Sequence, residues 1–269
     1  MTHRPVPLPP DLEAALTRHA DRLGIFAGRV QYWTSVTSTS DIAARLADHG
    51  VEDGTAVLAD AQTAGRGRHG RSWHSPPGAG LYLSLVLAAG DGAYVTLMAG
   101  VAVAEAIRGV TGLRVEIKWP NDVVSVASGV TQWRKLAGIL AESTRVGAAA
   151  ERMIVGIGIN VRRSERPPEL AARATSLEEE IERPVDRGLL LVECLAALVS
   201  WRARLAAGGP DGLLTRWREL SPSSRGAMVT WHTLEERRGV TEGIDEAGAL
   251  QVRTARGVER LVGGGVTWL

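Results

Sequence analysis

Two observations favour an α/β fold with a small all-β unit after it. Strand-like and helix-like patterns alternate through the first ~220 residues. Beyond Ser221-Pro222 the pattern changes to short alternating segments, MVTWH, RGVTEGI, ALQVRT and VERLV, separated by Gly or Glu-Arg turns. That change is the signature of a β-barrel of about 48 residues. Alternation alone does not say which α/β architecture is built. A chain of 269 residues, 45% hydrophobic and 23% charged, suits one or two globular domains with a sizeable core.

The elements follow in order. Residues 11–23 carry Leu12, Ala15, Leu16, Ala20 and Leu23 at helical spacing, with Asp11 able to cap after Pro9-Pro10. Arg29–Val36 reads as a strand, and Ser38-Thr39-Ser40-Asp41 leads into a helix over Ile42–His49 that Gly50 ends. Thr55–Ala59 and Leu81–Ala88 are apolar strands flanking a glycine-arginine loop, and Val95–Val110 is apolar enough to be buried on most sides. Val115–Trp119 alternates as a strand that Pro120 should end or bend, with Asn121-Asp122 as a turn. Val123–Val126 and Lys135–Glu142 pair as a hairpin around SVASGVTQWR, and Arg152–Val161 is a strand with Gly156 and Gly158 on one face. Such glycines make room for a flat group or for a tight strand crossing. Asp186–Leu205 and Asp211–Leu220 read as scaffold helices.

Charge and cysteine content exclude several functions. A net charge of +1 gives no global pull toward nucleic acid or membrane. The first residues show no apolar signal core, and no apolar run reaches about 18 residues, so a cytoplasmic, membrane-free protein is expected. Cys194, the single cysteine, lies in the apolar run LLLVECLAALV and reads as a buried inert thiol. The histidines show no metal-ligand spacing.

Chemistry concentrates in Gly65–Trp73, GRGRHGRSW, where Arg66, Arg68, Arg71 and His69 stand among three glycines. Bare backbone N–H groups and planar guanidinium forks together suit a carboxylate or phosphate, and like charges left empty would repel. The segment reads either as a loop that orders around a polyanion or as an arginine-rich solvated turn. It is not a Walker A loop, because no GK[ST] follows. Of the 31 basic residues only Lys118 and Lys135 are lysine. That scarcity suggests two positions where a compact ammonium cannot be replaced by a guanidinium.

Taken together, QTAGRGRHGRSW (Gln62–Trp73), KWPNDV (Lys118–Val123), KLAGILAE (Lys135–Glu142) and GIGINV (Gly156–Val161) resemble, in order, the motifs of biotin protein ligases, the biotin–[acetyl-CoA-carboxylase] ligases. The likeness is strong over roughly residues 30–180 and weak elsewhere. It implies a mixed β-sheet with helices, like the class II aminoacyl-tRNA synthetase core, and an SH3-like C-terminal barrel. The corresponding domains would be 1–220 and 221–269. It also implies ATP and biotin as substrates, Mg2+ on the phosphates, and a biotin carboxyl carrier protein domain of acyl-CoA carboxylases as acceptor. By the same resemblance Lys135 and Arg68 are catalytic, and Arg68 closes the loop over the adenylate. Ser38, Thr39, Ser40, Gln62, Arg66, Gly67, Arg68, Trp73, Lys135 and Gly138 would bound biotin. Arg66, Arg68, Arg71, Lys118, Asn121 and Asn160 would meet ATP, with Asp122 touching the metal. Ser40 stands where the family usually has asparagine.

Roughly 28 residues precede the first strand, too few for the DNA-binding domain that repressor members carry, so no specific DNA binding is expected. A monomer or weak homodimer is expected. Lipoate or octanoate ligase activity and a non-enzymatic biotin-responsive regulator are the alternatives. A third is an adenylating enzyme for an unrelated carboxylic acid.

Overall fold

The computed structural model describes residues 4–92, 94–126, 133–146, 150–232 and 235–269. Helix α1 (Pro10–Arg18) buries Leu12 and Leu16. It is shorter than the apolar spacing predicts: the chain leaves helical geometry at His19 and continues as two 3-10 turns, Ala20–Arg22 and Gly24–Phe26. Leu23 and Phe26 are still delivered to the core from those turns.

Strand β1 (Val30–Trp33) lies parallel to β2 (Thr55–Ala59), with helix α2 (Thr39–Asp48) as the crossover between them. Then come β3 (Gly80–Ala88), α3 (Val95–Thr111), β4 (Val115–Lys118), β5 (Asp122–Ser125), β6 (Arg134–Val146) and β7 (Ala150–Asn160). The seven strands form one sheet in the order β1-β2-β3-β7-β6-β5-β4, with every pairing after the first antiparallel. β5 and β6 pair as expected; residues 127–132 of the connection between them lie outside the described residues.

Strand side chains alternate between faces, and the sheet is sorted accordingly. Ala56, Leu58, Leu83, Leu85, Val155 and Ile157 join the main core with α1, α3, α6 (Arg187–Gly208) and α7 (Asp211–Leu220). Val57, Ala59, Val86 and Ile154 face the other way and pack with Ala43 and Ala47 of α2. Near-continuous apolar strands such as β3 are therefore what a sheet covered on both faces requires. Two short helices, α4 (Pro168–Ala171) and α5 (Leu177–Ile181), precede α6. The second begins with a capping box in which Ser176 and Glu179 satisfy each other's backbone N–H groups.

The last strands, β8 (Arg225–His232), β9 (Glu236–Ile244), β10 (Leu250–Thr254), β11 (Gly257–Leu261) and β12 (Val266–Trp268), form an antiparallel sheet ordered β11-β10-β9-β8-β12. Register shifts at Gln251/Val252 and Arg225/Met228 bend it. Its buried Val229, Trp231, Leu250 and Val252 run into the same core as the large sheet. Trp119, directly after β4, donates through Nε1 to Gly248 O at 3.0 Å, and Arg218 of α7 donates to Ile244 O at 3.1 Å, tying the C-terminal sheet to the rest of the fold. Among the described residues no helix is long and apolar enough to cross a membrane.

Candidate active site

The glycine-arginine loop is built as an arch over the large sheet. Its base is closed by Gln62 N–H to Ser75 O at 3.1 Å and Trp73 N–H to Gly65 O at 2.8 Å, and its tip by Gly67 N–H to Arg71 O at 2.7 Å. The reversal at the tip is made by His69 and Gly70, at φ 55° and 71°. A histidine there is uncommon but tolerated in the left-handed region.

Gln62 joins the arch to α2. Its Oε1 accepts from Thr39 N–H at 2.8 Å and from the Thr39 hydroxyl at 3.1 Å, and its Nε2 donates to Ser75 Oγ at 2.8 Å. A residue from the arch thus serves as the helix cap. Ser38, at the N-cap position itself, makes no side-chain cap bond. Its hydroxyl is buried without a protein partner, which costs about 1–3 kcal/mol unless something else satisfies it. Thr39 and Ser40 instead share the hydroxyl of Ser84, at 2.7 and 3.1 Å.

The floor is glycine. Gly138 on β6 and Gly158 on β7 are register partners, and the Trp73 indole lies on both: a Cβ built at Gly158 would sit 2.4 Å from the ring, and one at Gly138 2.9 Å. The room that a glycine face leaves for a flat group is taken up by the arch's own tryptophan. A cleft of about 40 Å³ remains, walled by Thr39, Ser40, Gln62, Arg66, Gly67, Arg68, Trp73, Asn121, Lys135 and Gly138 among the residues singled out from sequence. Ser38, Arg71, Lys118, Asp122 and Asn160 stand outside that wall.

The cations divide into two groups. Arg66 reaches out to Glu142 at 2.8 Å and Asp41 at 3.2 Å, so two carboxylates offset it. Arg68, Lys118 and Lys135 gather instead around the single carboxylate of Asp122. Lys135 Nζ approaches Asp122 Oδ1 at 2.6 Å, a charge contact without the alignment of a hydrogen bond, and lies 5.1 Å from the Trp73 ring centre. Arg68 donates to Asn121 Oδ1 at 3.4 Å. Burial disfavours its charged form and Asp122 restores part of it, but a guanidinium stays charged. Lys118 is pushed below the usual lysine range by burial; Asp122 opposes this, whereas the positive Lys135 and Arg173 add to it.

The remaining residues have plain surroundings. Arg71 is exposed on the arch. The Asn121 side chain donates to Ile139 O at 2.7 Å, and Asn160 to Thr175 O at 3.0 Å, so both amides are engaged with backbone. No three His, Cys, Asp or Glu side chains converge among the described residues to cage a metal. Cys194 is buried, which raises its thiol pKa to about 12, away from any reactive range.

Sequence reading missed several members. Ser84 had a visible signal, being the one polar residue in the apolar strand LYLSLVLA. Asp41 and Glu142, which neutralise Arg66, had none, and neither did Trp133 and Trp268, whose rings flank Lys118 at 5.0 and 5.1 Å.

The chain is similar to proteins already known. The model of the biotin/lipoate A/B protein ligase family matches residues 30–160. The bifunctional ligase/repressor BirA of Bacillus spizizenii is 30% identical over 96% of this chain and 80% of its own length. The biotin–[acetyl-CoA-carboxylase] ligase of Paracoccus denitrificans is 33% identical over 82% and 92%. The structure of biotin protein ligase from Aquifex aeolicus in complex with biotin and ATP superposes with a TM-score of 0.77 at 30% identity, covering 90% of this chain and 98% of that one.

Proposed function

Because this chain belongs to the biotin/lipoate A/B protein ligase family, we propose that it activates biotin with ATP and transfers it to a lysine of a biotin carboxyl carrier domain of acyl-CoA carboxylases. The observation that carries this reading is the charge imbalance inside the arch: Arg68, Lys118 and Lys135 share one carboxylate beside a cleft floored by glycine. Joining two anions needs such a place. A carboxylate and a phosphate about 4 Å apart repel by about 4 kcal/mol at an effective dielectric of 20, and fixed cations between them remove that cost.

The biotin carboxylate oxygen attacks the α-phosphorus of ATP and pyrophosphate leaves. Lys135 and Arg68 face the carboxylate and the developing oxyanion, and Lys118 faces the phosphates. The amine of the acceptor lysine then attacks the acyl carbon, AMP departs, and a proton is lost from nitrogen. Arg71 is free to meet the outer phosphates, whereas Arg66 reaches them only by exchanging its carboxylate partners for another anion. Thr39, Ser40 and Gln62 bound the polar end of the biotin pocket, Ser38 adjoins them outside the cleft wall, and Trp73 packs along the pocket. Asn121 and Asn160 hold backbone near the nucleotide.

Mg2+ fits as a passenger of ATP. Among the described residues there is no carboxylate cage; Asp122 is the residue that would hold the ion together with the nucleotide, and the ion would supply charge neutralisation on the phosphates. We assign residues 1–220 to the catalytic unit and 221–269 to the C-terminal barrel.

The test is incubation with ATP, biotin and a carrier domain, reading the acceptor by mass spectrometry. Biotin added to a single lysine, with lipoate or octanoate not incorporated, is the expected result. Preferential incorporation of lipoate, or an unmodified acceptor, overturns the assignment.

A further inference from the structure

Lys118 ends β4 half-buried, with an indole on each of two sides: its Nζ lies 5.0 Å from the ring centre of Trp133 and 5.1 Å from that of Trp268. The two rings meet edge to face, 6.0 Å apart and inclined by 74°. Trp133 directly precedes β6, whereas Trp268 belongs to β12, the strand that ends the C-terminal sheet, and its Nε1 donates to Ser223 O at 3.3 Å. A lysine this covered, with positive Lys135 and Arg173 nearby and Asp122 the one attracting carboxylate among the described residues, would otherwise swing into water. The π faces make staying favourable, because ring quadrupoles attract a desolvated cation.

We propose that Trp133 and Trp268 are positioning residues for nucleotide activation: they hold the Lys118 ammonium at the phosphate cluster, which makes the last strand of the chain a working part of the ATP site. The proposal rests on the reading of Lys118 as a phosphate ligand. An ammonium resting on ring faces still has N–H donors to give to phosphate oxygens, so the cage pre-organises it without using it up. The cage also accounts for a lysine at this position in a chain whose basic residues, Lys135 apart, are otherwise arginine. A compact, freely turning ammonium can sit between two edge-to-face indoles and still aim a donor at phosphate, whereas a planar guanidinium would have to stack on one ring.

The test is a double-mutant cycle between Trp268→Leu and Lys118→Met, with Trp133→Leu and Trp268→Phe alongside. The ATP KM is read from biotin-dependent pyrophosphate exchange, and biotin affinity from calorimetry without nucleotide. Trp268→Leu should raise the ATP KM by about fivefold to tenfold, leave biotin affinity unmoved, and have no further effect once Lys118→Met is present; Trp268→Phe should recover most of the loss. An unchanged or lowered ATP KM, or an equal rise in both backgrounds, overturns the cage. If Lys118→Met itself leaves the ATP KM unaltered, the phosphate role of Lys118 falls and the cage with it. Absence of exchange by the unaltered chain sinks the ligase reading instead. Should Trp268→Leu fail to fold, Trp133→Leu in the parent and Lys118→Met backgrounds decides by the same criteria.

Discussion

Replacing Gly158 with alanine tests whether the arch is seated by its tryptophan. The added methyl would lie 2.4 Å from Cε2 and Nε1 of the Trp73 indole, whereas non-bonded carbons settle at about 3.5–4.0 Å. The ring would have to move by about 1 Å or more, and it has little freedom: its backbone N–H is bonded to Gly65 O at 2.8 Å and Gly138 leaves no slack beneath it. Overpacking of this kind costs about 1–3 kcal/mol. At roughly 2–4 °C per kcal/mol for a chain of this size, the midpoint of thermal unfolding should fall by about 2–12 °C. Gly→Ala in an unobstructed strand does the opposite, because alanine loses less chain entropy on folding. The measurement is therefore a cycle of four melts followed by circular dichroism: the parent, Gly158→Ala, Trp73→Ala and the double variant. The penalty should vanish or reverse once the indole is gone. A penalty of the same size in the Trp73→Ala background would refute the packing argument, because the clash would then lie elsewhere.

Three further outcomes follow from the site. Lys135→Ala should abolish biotin-dependent pyrophosphate exchange while leaving the melting midpoint within a few degrees, since the lysine contacts Asp122 and the Trp73 face but supports no buried apolar packing. Arg68→Gly removes the arch's tie to Asn121, so the adenylate should escape, seen as biotin appearing on bystander amines in a mixed protein pool. Glu179 titrates far below its ordinary range: burial pushes its pKa up, but hydrogen bonds from Arg166 and Ser176 bring it down to about 2. A depressed carboxylate stabilises the fold above its unfolded pKa, about 4.3, and that contribution, on the order of 3 kcal/mol, fades as pH falls toward about 2. Glu179→Gln should therefore lower the midpoint at neutral pH and flatten its fall between those two pH values.

Strand and helix identity was legible in the sequence where one face, or both, had to be apolar. β2 and α7 begin and end where the pattern says, and α3 extends one residue beyond it. The helix expected over 11–23 stops short: Ala20 and Leu23 keep helical spacing, but the backbone leaves helical geometry at His19, φ −116°. The capping box of Ser176 and Glu179 is legible as an S-x-x-E signal before an apolar residue. The order of the sheet was not legible at all, since placing β7 between β3 and β6 depends on which apolar faces meet, and local pattern carries no such information.

The site shows the same division for a physical reason. Residue types that need a special backbone or a special charge announce themselves locally, so the glycines and the scarce lysines could be picked out. What each charge does is decided by neighbours from distant segments. Arg66 and Arg68 are two residues apart and look equivalent in sequence, yet one lies against the carboxylates of Asp41 and Glu142 while the other turns inward to a cluster holding only Asp122. The repulsion expected among the arch's arginines is thus relieved for one by partners up to 76 residues away and left standing for the other. On electrostatic grounds the inner group is the better place for an added anion. A cation already offset by two carboxylates gains little from a third anion, whereas three cations around one carboxylate gain from every negative oxygen brought to them.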